Sequence, residues 1–328
     1  MNRMHAKTSL AIVIVALLLS GATHGQSYPN KPIIVIQPYS AGVSLDTLAR
    51  SITARLKDRL GWTFILDNRP GADGVIAIQA VMNAPADGLT LLASISSMAV
   101  LPTSKKGQLP FDPFKDFIPL TRTIDLQSVL AANIGVPANT LPELVAYSKS
   151  NPGKLNYATA ARGSWNHLLG ELLKRETGLV MNNIPYKPGP QMEVDVINGS
   201  LELVVVSAPS VIQYIRAGKM KPIVVMSDRR FAGLPMVPAM GELVGSLANI
   251  EVNPWGGMML RAGTPAEIVA RLHAEIVAVL RLAEMQKQIV DLGGASVIDE
   301  TPELAYKKYV SDIARWEKVV RESGITFD

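Results

Sequence analysis

The 328-residue sequence contains no cysteine. That excludes thiol catalysis, Cys-ligated zinc, disulfide bracing and a lipid-modified cysteine near the N-terminus, and leaves packing to stabilise the fold. Histidine is scarce too. Of the four, His5 and His24 fall in the N-terminal segment, which leaves only His167 and His273 and no His-rich metal site. Charged residues make up 18% of the chain and the formal net charge is +4, two fewer without Arg3 and Lys7. Both signs are interspersed, so there is no basic stripe for nucleic acid. After the N-terminal segment no apolar run approaches the about 20 residues of a membrane span.

The N-terminus, "MNRMHAKTSLAIVIVALLLSGATHGQS", joins a positive start to an apolar run from Leu10 to Leu19 and then to small and polar residues. This layout predicts a secretory signal peptide over 1–26, and a soluble periplasmic mature protein. The length suggests two domains or one large one, since single cores stop growing near ~250–300 residues.

A short apolar run, a small-residue loop and an amphipathic run recur along the chain. "IIVIQ" leads through "PYSAGVS" to a helix from about Leu45 to Leu60, and "TFILDN" through "RPGADG" to "VIAIQAVMNA". "LTLLAS", "KLNYATA" and "LELVVVS" open similar units. Strands alternating with helical patterns predict α/β architecture with mixed, largely parallel sheets. The last third, "TPAEIVARLHAEIVAVLRLAEMQKQIVDLG" and "TPELAYKKYVSDIARWEKVVRESG", reads as two packing helices, with Thr264 capping the first and Thr301 the second. His273 reads as part of a solvated face. Extended stretches near 118–134 and 248–260 look like two crossings between lobes. They predict lobe 1 as 28–124 plus 254–328 and lobe 2 as 125–253, with the ligand cleft between them.

In open α/β sheets ligands sit beyond the carboxyl ends of the strands, where helix N-termini present unpaired N–H groups and favour anions. Four loops have the small and hydroxyl residues for this: Ser40–Ser44, Ser94–Ser97, Ala160–Asn166 and Ser207–Ser210. Gly and Ser are also ordinary turn residues, so each loop alone supports a turn as well as a site. A ligand anionic at both ends could bridge the lobes. Each charge-assisted hydrogen bond would contribute ~1.5–3 kcal/mol when desolvated.

In order, "YPNKPIIVIQPYSAGVSLDTLAR", "DNRPGADG", "APADGLTLL", "LPFDPFKDF", "NPGKLNYATAARGSWNHLLGEL", "IPYKPGP" and "RAGTP" resemble the Bug-type periplasmic solute-binding receptors of tripartite tricarboxylate transporters. The resemblance runs from Tyr28 to the C-terminus. It implies a two-lobed Venus-flytrap fold that captures a small carboxylate without chemistry or cofactor, as a monomer, for the membrane subunits of a transporter. It also implies ligand contacts from Ser40, Ala41, Gly42 and Asp46 in lobe 1 and from Ala160, Gly163, Ser164 and His167 in lobe 2. Ser94, Ser96 and Ser97 fit the third loop, and Tyr186 and Ser207 lie at matching edges.

The sequence departs from the family pattern at Val43, where a second glycine is usual, at Arg162 and Trp165, where small residues are usual, and at Val206, where Asp is frequent. Val43 implies either that the turn does not need positive φ there or that the loop is reshaped. Arg162 and Trp165 would suit an aryl or longer dicarboxylate, the first as a clamp and the second as a ring face. The alternative has Trp165 packing and Arg162 in solvent. Asp46 is as readily a helix N-cap as a ligand contact. Ser164 and His167 lack the partners of a hydrolase, and no G-x-S-x-G elbow occurs. A ligand-sensing subunit that signals to a partner without transport is the other function class.

Overall fold

The structure, a computed structural model, describes residues 28–160, 162–186, 191–248 and 253–323. The expected signal peptide lies outside the described residues. Eleven strands form two sheets among the described residues.

The first sheet holds β1 (Ile33–Gln37), β2 (Phe64–Asn68), β3 (Thr90–Ile95), β4 (Phe117–Leu126), β10 (Trp255–Arg261) and β11 (Gly294–Ala295). Its order is β2-β1-β3-β10-β4-β11; β1, β2 and β3 are parallel and β10 runs against both β3 and β4. The second sheet holds β5 (Ser128–Asn133), β6 (Asn156–Thr159), β7 (Asn182–Pro185), β8 (Leu203–Ser207) and β9 (Met220–Val225). Its order is β7-β6-β8-β5-β9, with β6, β7 and β8 parallel and β5 antiparallel to its two neighbours. The two sheets thus share one plan: three parallel strands, then one reversed strand that arrives from the other sheet, then a strand parallel to the first three.

Helices cover both sheets: α1 (Ser44–Leu60), α2 (Val75–Met82), α3 (Ser97–Ser104), α4 (Leu141–Ser150), α5 (Trp165–Thr177), α6 (Gln191–Ile197), α7 (Ala208–Arg216), α8 (Met240–Leu243), α9 (Ala266–Leu280), α10 (Ala283–Asp291) and α11 (Pro302–Ser323). Period-2 alternation sorts the strand residues between two faces. Ile33, Val35, Leu91 and Ala93 pack with Leu48, Ile52 and Leu56 of α1 and with Leu272 and Ile276 of α9. Ile36 and Leu92 join the opposite layer with Ile78, Met98 and Tyr309. Gly61 ends α1 as the structure of a helix stop demands, at φ 71°, with its N–H on the Lys57 carbonyl at 2.8 Å.

One apolar cluster runs through both sheets. Trp316 and Val319 of α11 belong to it together with Leu169, Leu172 and Leu173 of α5. α11 packs on α3, β4 and α5, and Arg175 reaches Glu322 at 2.7 Å. The C-terminal helix therefore fastens the second sheet's α5 to the first sheet. Trp316, 4% exposed, is the largest buried side chain of that seam. Trp316→Ala is expected to cost about 3–5 kcal/mol in urea-induced unfolding, with little change in the slope of the transition.

Three local expectations differ from what is found. The long amphipathic stretch after Thr264 is two helices, α9 and α10, broken where Leu282 turns extended (φ −63°, ψ 135°). Apolar periodicity continues through the break, so the sequence pattern does not mark it. Thr264 makes no cap; its Oγ1 donates to the Arg261 carbonyl at 2.8 Å, whereas Thr301 does accept the Leu304 N–H. His273 is half-buried, with Nε2 3.0 Å from the Asp299 carbonyl, and not on a solvated face.

Candidate functional site: two loops with one design

The candidate loops lie near the crossings between the sheets. The Leu126 N–H donates to the Pro254 carbonyl at 2.7 Å, and the Ser96 N–H to the Trp255 carbonyl at 3.0 Å, at the carboxyl ends of β4 and β3. In the second sheet the Ala208 N–H donates to the Gln127 carbonyl at 2.6 Å, and the Met226 N–H to the Ser128 carbonyl at 2.8 Å, at the carboxyl ends of β8 and β9. The chain thus passes between sheets at the edge onto which the parallel strands of both open. The loops after β1 and β3, like those after β6 and β8, leave from these carboxyl ends.

The loop after β1 turns at Gly42, φ 87°. Val43 follows as the N-cap in extended conformation (φ −73°, ψ 163°), so the turn needs no positive φ and no reshaping at this position. Ser40, Ala41, Gly42 and Val43 are exposed. Asp46 is neither exposed nor the cap. It is the third helical residue, 1% exposed. Its Oδ2 accepts the Gly42 N–H and Arg50 Nε, each at 2.8 Å, and its Oδ1 accepts Gln37 Nε2 and Asn68 Nδ2, each at 3.0 Å. A carboxylate offers about four acceptor positions, and the four donors fill them. Burial pushes the Asp46 carboxyl up, but the hydrogen bonds from Arg50, Gly42 and Asn68 outweigh it and hold the group well below the usual carboxylate range. Asn68, from "DNRP" at the end of β2, also donates to the Tyr39 carbonyl at 3.0 Å and so ties the loop at both ends.

The loop after β6 repeats this plan. Gly163 has φ 75°, Ser164 is the N-cap at φ −67° and ψ 159°, and α5 begins at Trp165. The Gly163 N–H donates to Nδ1 of His167, the third helical residue, at 2.9 Å. Gly42, Val43 and Asp46 thus correspond to Gly163, Ser164 and His167. Asn166 buttresses the loop: it donates to the Val205 carbonyl at 3.2 Å and accepts from Ser164 Oγ and from the Ala160 N–H. Burial lowers the His167 pKa; Glu171 opposes this and Lys174 and Arg162 add to it. Arg162 is exposed, and Trp165 is half-buried against the apolar cluster that spans the sheets.

The other candidates are scattered. Ser94 is 1% exposed; it lines a void of about 10 Å³ beneath α11 with Arg122, Trp255 and Tyr309, away from the loop surface. Ser96 is buried and Ser97 donates to the Asp73 carbonyl at 3.4 Å. Tyr186 donates to Asp195 at 2.6 Å; burial, then this carboxylate, push its hydroxyl up to about 12. Ser207 is the N-cap of α7 on the crossing, and its hydroxyl lies 3.2 Å from that of Ser210. Gln37 and Asn68 were not expected from the sequence, and Asn166 only as the end of its loop. Asp46 lies 9 residues from Gln37 and 22 from Asn68, and Val205 lies 39 from Asn166; only the position of Gln37 at the end of an apolar run hints at a role. Among the described residues no cluster of His, Asp and Glu could hold a metal, and no helix is long and apolar enough to cross a membrane.

The family model for the tripartite tricarboxylate transporter family receptor matches residues 48–325. The chain belongs to this family. The receptor is 32% identical to protein BugT of Bordetella pertussis over 325 residues, 99% of each chain. An R. palustris protein solved with adipate superposes with a TM-score of 0.80 at 29% identity, covering 91% of the receptor and 99% of that chain. MatC of Rhodopseudomonas palustris with bound malate gives 0.76 at 28%, covering 89% and 100%. The periplasmic binding protein BugD gives 0.77 at 28%, covering 91% and 99%. The receptor thus has the two-lobed α/β fold of periplasmic binding proteins.

Proposed function

We propose that the receptor captures a small aliphatic dicarboxylate in the periplasm, with signal peptide 1–26 removed, and hands it as a monomer to the membrane subunits of a tripartite tricarboxylate transporter. The observation that carries this reading is the pair of equivalent loops. Each is a positive-φ glycine, an extended cap and a helix N-terminus at the carboxyl end of a parallel strand, and in this reading the two face one another across the cleft. The first-turn N–H groups of α1 and α5 then take one carboxylate each, with the Ser40 and Ser164 hydroxyls beside them and Arg162 at the lobe 2 rim. Asp46 acts on the ligand through the loop, since its acceptor positions are filled. We place lobe 1 in the first sheet (28–124 plus 254–328) and lobe 2 in the second (125–253), with Gln127 at the hinge. Closure is a population shift, driven by contacts that only the closed form completes.

Adipate and malate in the related structures support a C4–C6 dicarboxylate, and Trp165 against the apolar seam supports an aliphatic over an aryl acid. Thermal unfolding with a panel of acids tests the reading. A dicarboxylate at 100 times its Kd is expected to stabilise by about 2.7 kcal/mol, with benzoate, amino acids and sugars giving no shift. A shift with benzoate alone would return Trp165 to the ligand surface. No shift with any carboxylate would remove the anion site.

A further inference from the structure

Resting on the carboxylate-receptor reading, we infer that His167 is a pH-sensitive positioning residue, the lobe 2 counterpart of Asp46, whose protonation releases the Gly163 loop and weakens ligand capture. Each lobe ties the N–H of a left-handed glycine to the side chain four residues on, at the third position of the ligand-facing helix. Lobe 1 uses a carboxylate and lobe 2 an imidazole. The Gly163 N–H can only donate, so Nδ1 must accept and the proton of the neutral ring sits on Nε2, which faces Glu171 Oε1 at 3.9 Å. An imidazolium carries hydrogen on both nitrogens and cannot accept. Protonation therefore deletes this bond and sets two N–H groups against one another inside the loop that aims the N-terminus of α5.

The charges around the ring decide where the switch lies. Glu171 on the same helix favours the cation, but it is engaged by Lys174 at 2.8 Å and by the Tyr157 hydroxyl of β6 at 2.9 Å. Arg162 in the loop and Lys174 disfavour the cation. The α11 groups that meet α5, Glu322 through Arg175 and Lys318 near Glu176, lie at its far end. His167 itself is 7% exposed. Burial and the two cations hold the ring neutral, and its pKa is lowered, so the unfolded chain takes up the proton first. The contribution of His167 is complete above the ordinary histidine pKa of about 6.5 and is lost as pH falls from there through the lower folded value. In lobe 1 the Asp46 carboxylate stays charged over this range, so only one half of the site responds.

The test compares wild type with His167→Leu, which has no acceptor, and His167→Asn, whose side-chain oxygen can replace Nδ1 without titrating. Adipate affinity is read by calorimetry at pH 7.5 and 5.0, and the Gly163 amide is followed by NMR in ligand-free protein over the same range. His167→Leu is expected to weaken adipate at both pH values, and His167→Asn to recover most of that loss. Wild type is expected to lose extra affinity on acidification relative to His167→Asn, up to about tenfold per pH unit once the ring protonates in the ligand-free protein, and the comparison cancels the ligand's own titration. The Gly163 amide should titrate in wild type and stay flat in His167→Asn. Equal pH profiles in the two proteins, or tighter wild-type binding at pH 5.0 because the added charge attracts the anion, would overturn the inference. So would a Gly163 amide that ignores the titration. Failure of adipate to bind any of the three proteins would count against the dicarboxylate reading, and the amide titration would still decide the role of His167.

Discussion

Asp46→Asn is expected to lose ligand binding and about 3 kcal/mol or more of stability at pH 7. The substitution puts an amide where four donors converge, the Gly42 N–H, Arg50 Nε, Gln37 Nε2 and Asn68 Nδ2. At least one donor is left facing another, and Gln37 has no exposed surface on which to find water. Gly42 then loses the contact that holds its turn, and the N–H groups at the start of α1 lose their aim. Urea unfolding at pH 7 and pH 3 separates this role from simple packing. The folded Asp46 carboxyl binds its proton less readily than the unfolded one. Its contribution is therefore present above the unfolded pKa of about 3.9 and is lost as pH falls through the lower folded value. Wild type should lose more stability than Asp46→Asn on going to pH 3. Equal losses would mean that the four hydrogen bonds contribute nothing to the charged state.

Gly293→Ala carries the second large effect, where the chain before β11 meets the start of α7. Gly293 is buried at φ 78° just before β11, and a Cβ there would stand 2.1 Å from Pro209 Cγ and 2.8 Å from Cδ at the start of α7. Neither neighbour gives easily, because a proline ring is stiff and β11 is paired to β4 through Gly294 and Ala295. Left-handed strain of roughly 1–2 kcal/mol adds to an overlap of roughly 1–3. The melting temperature should fall by about 5 °C or more. Because the overlap pushes the first sheet away from the α7 end that carries Ser207, affinity for the proposed dicarboxylate should drop as well. Gly218→Ala is the control: φ is 67° and no atom lies within 4 Å of the added Cβ, so it reports strain without the clash. If the two variants melt alike, the contact with Pro209 does not hold the lobes.

Much of this was legible before any coordinates, for identifiable reasons. "IIVIQ", "LTLLAS" and "LELVVVS" are runs of apolar and β-branched residues followed by small-residue loops, and each is a strand leading into a helix. The position of Ser40–Ser44 and Ala160–Asn166 at strand ends was equally readable. What escaped was side-chain direction and distant partnership. Asp46 looks like a cap in sequence because capping and third-position acids sit within one turn of each other. Only Gln37 and Asn68, brought in from two strands, show which it is. Ser94 looks like a loop serine because it ends a strand, yet the pleat turns it beneath α11. The correspondence of Asp46 with His167 has no sequence signature, since an acid and an imidazole share only an acceptor four residues after a glycine.

The two-loop capture of one dianion is tested most directly by NMR. Adipate is added to isotope-labelled receptor at pH 7.5, and the first-turn amides Ser44 of α1 and Trp165 of α5 are followed together. One bridging ligand predicts that both move along a single binding curve with the same Kd. A response at one helix alone, or at neither while the protein still binds adipate, would contradict it.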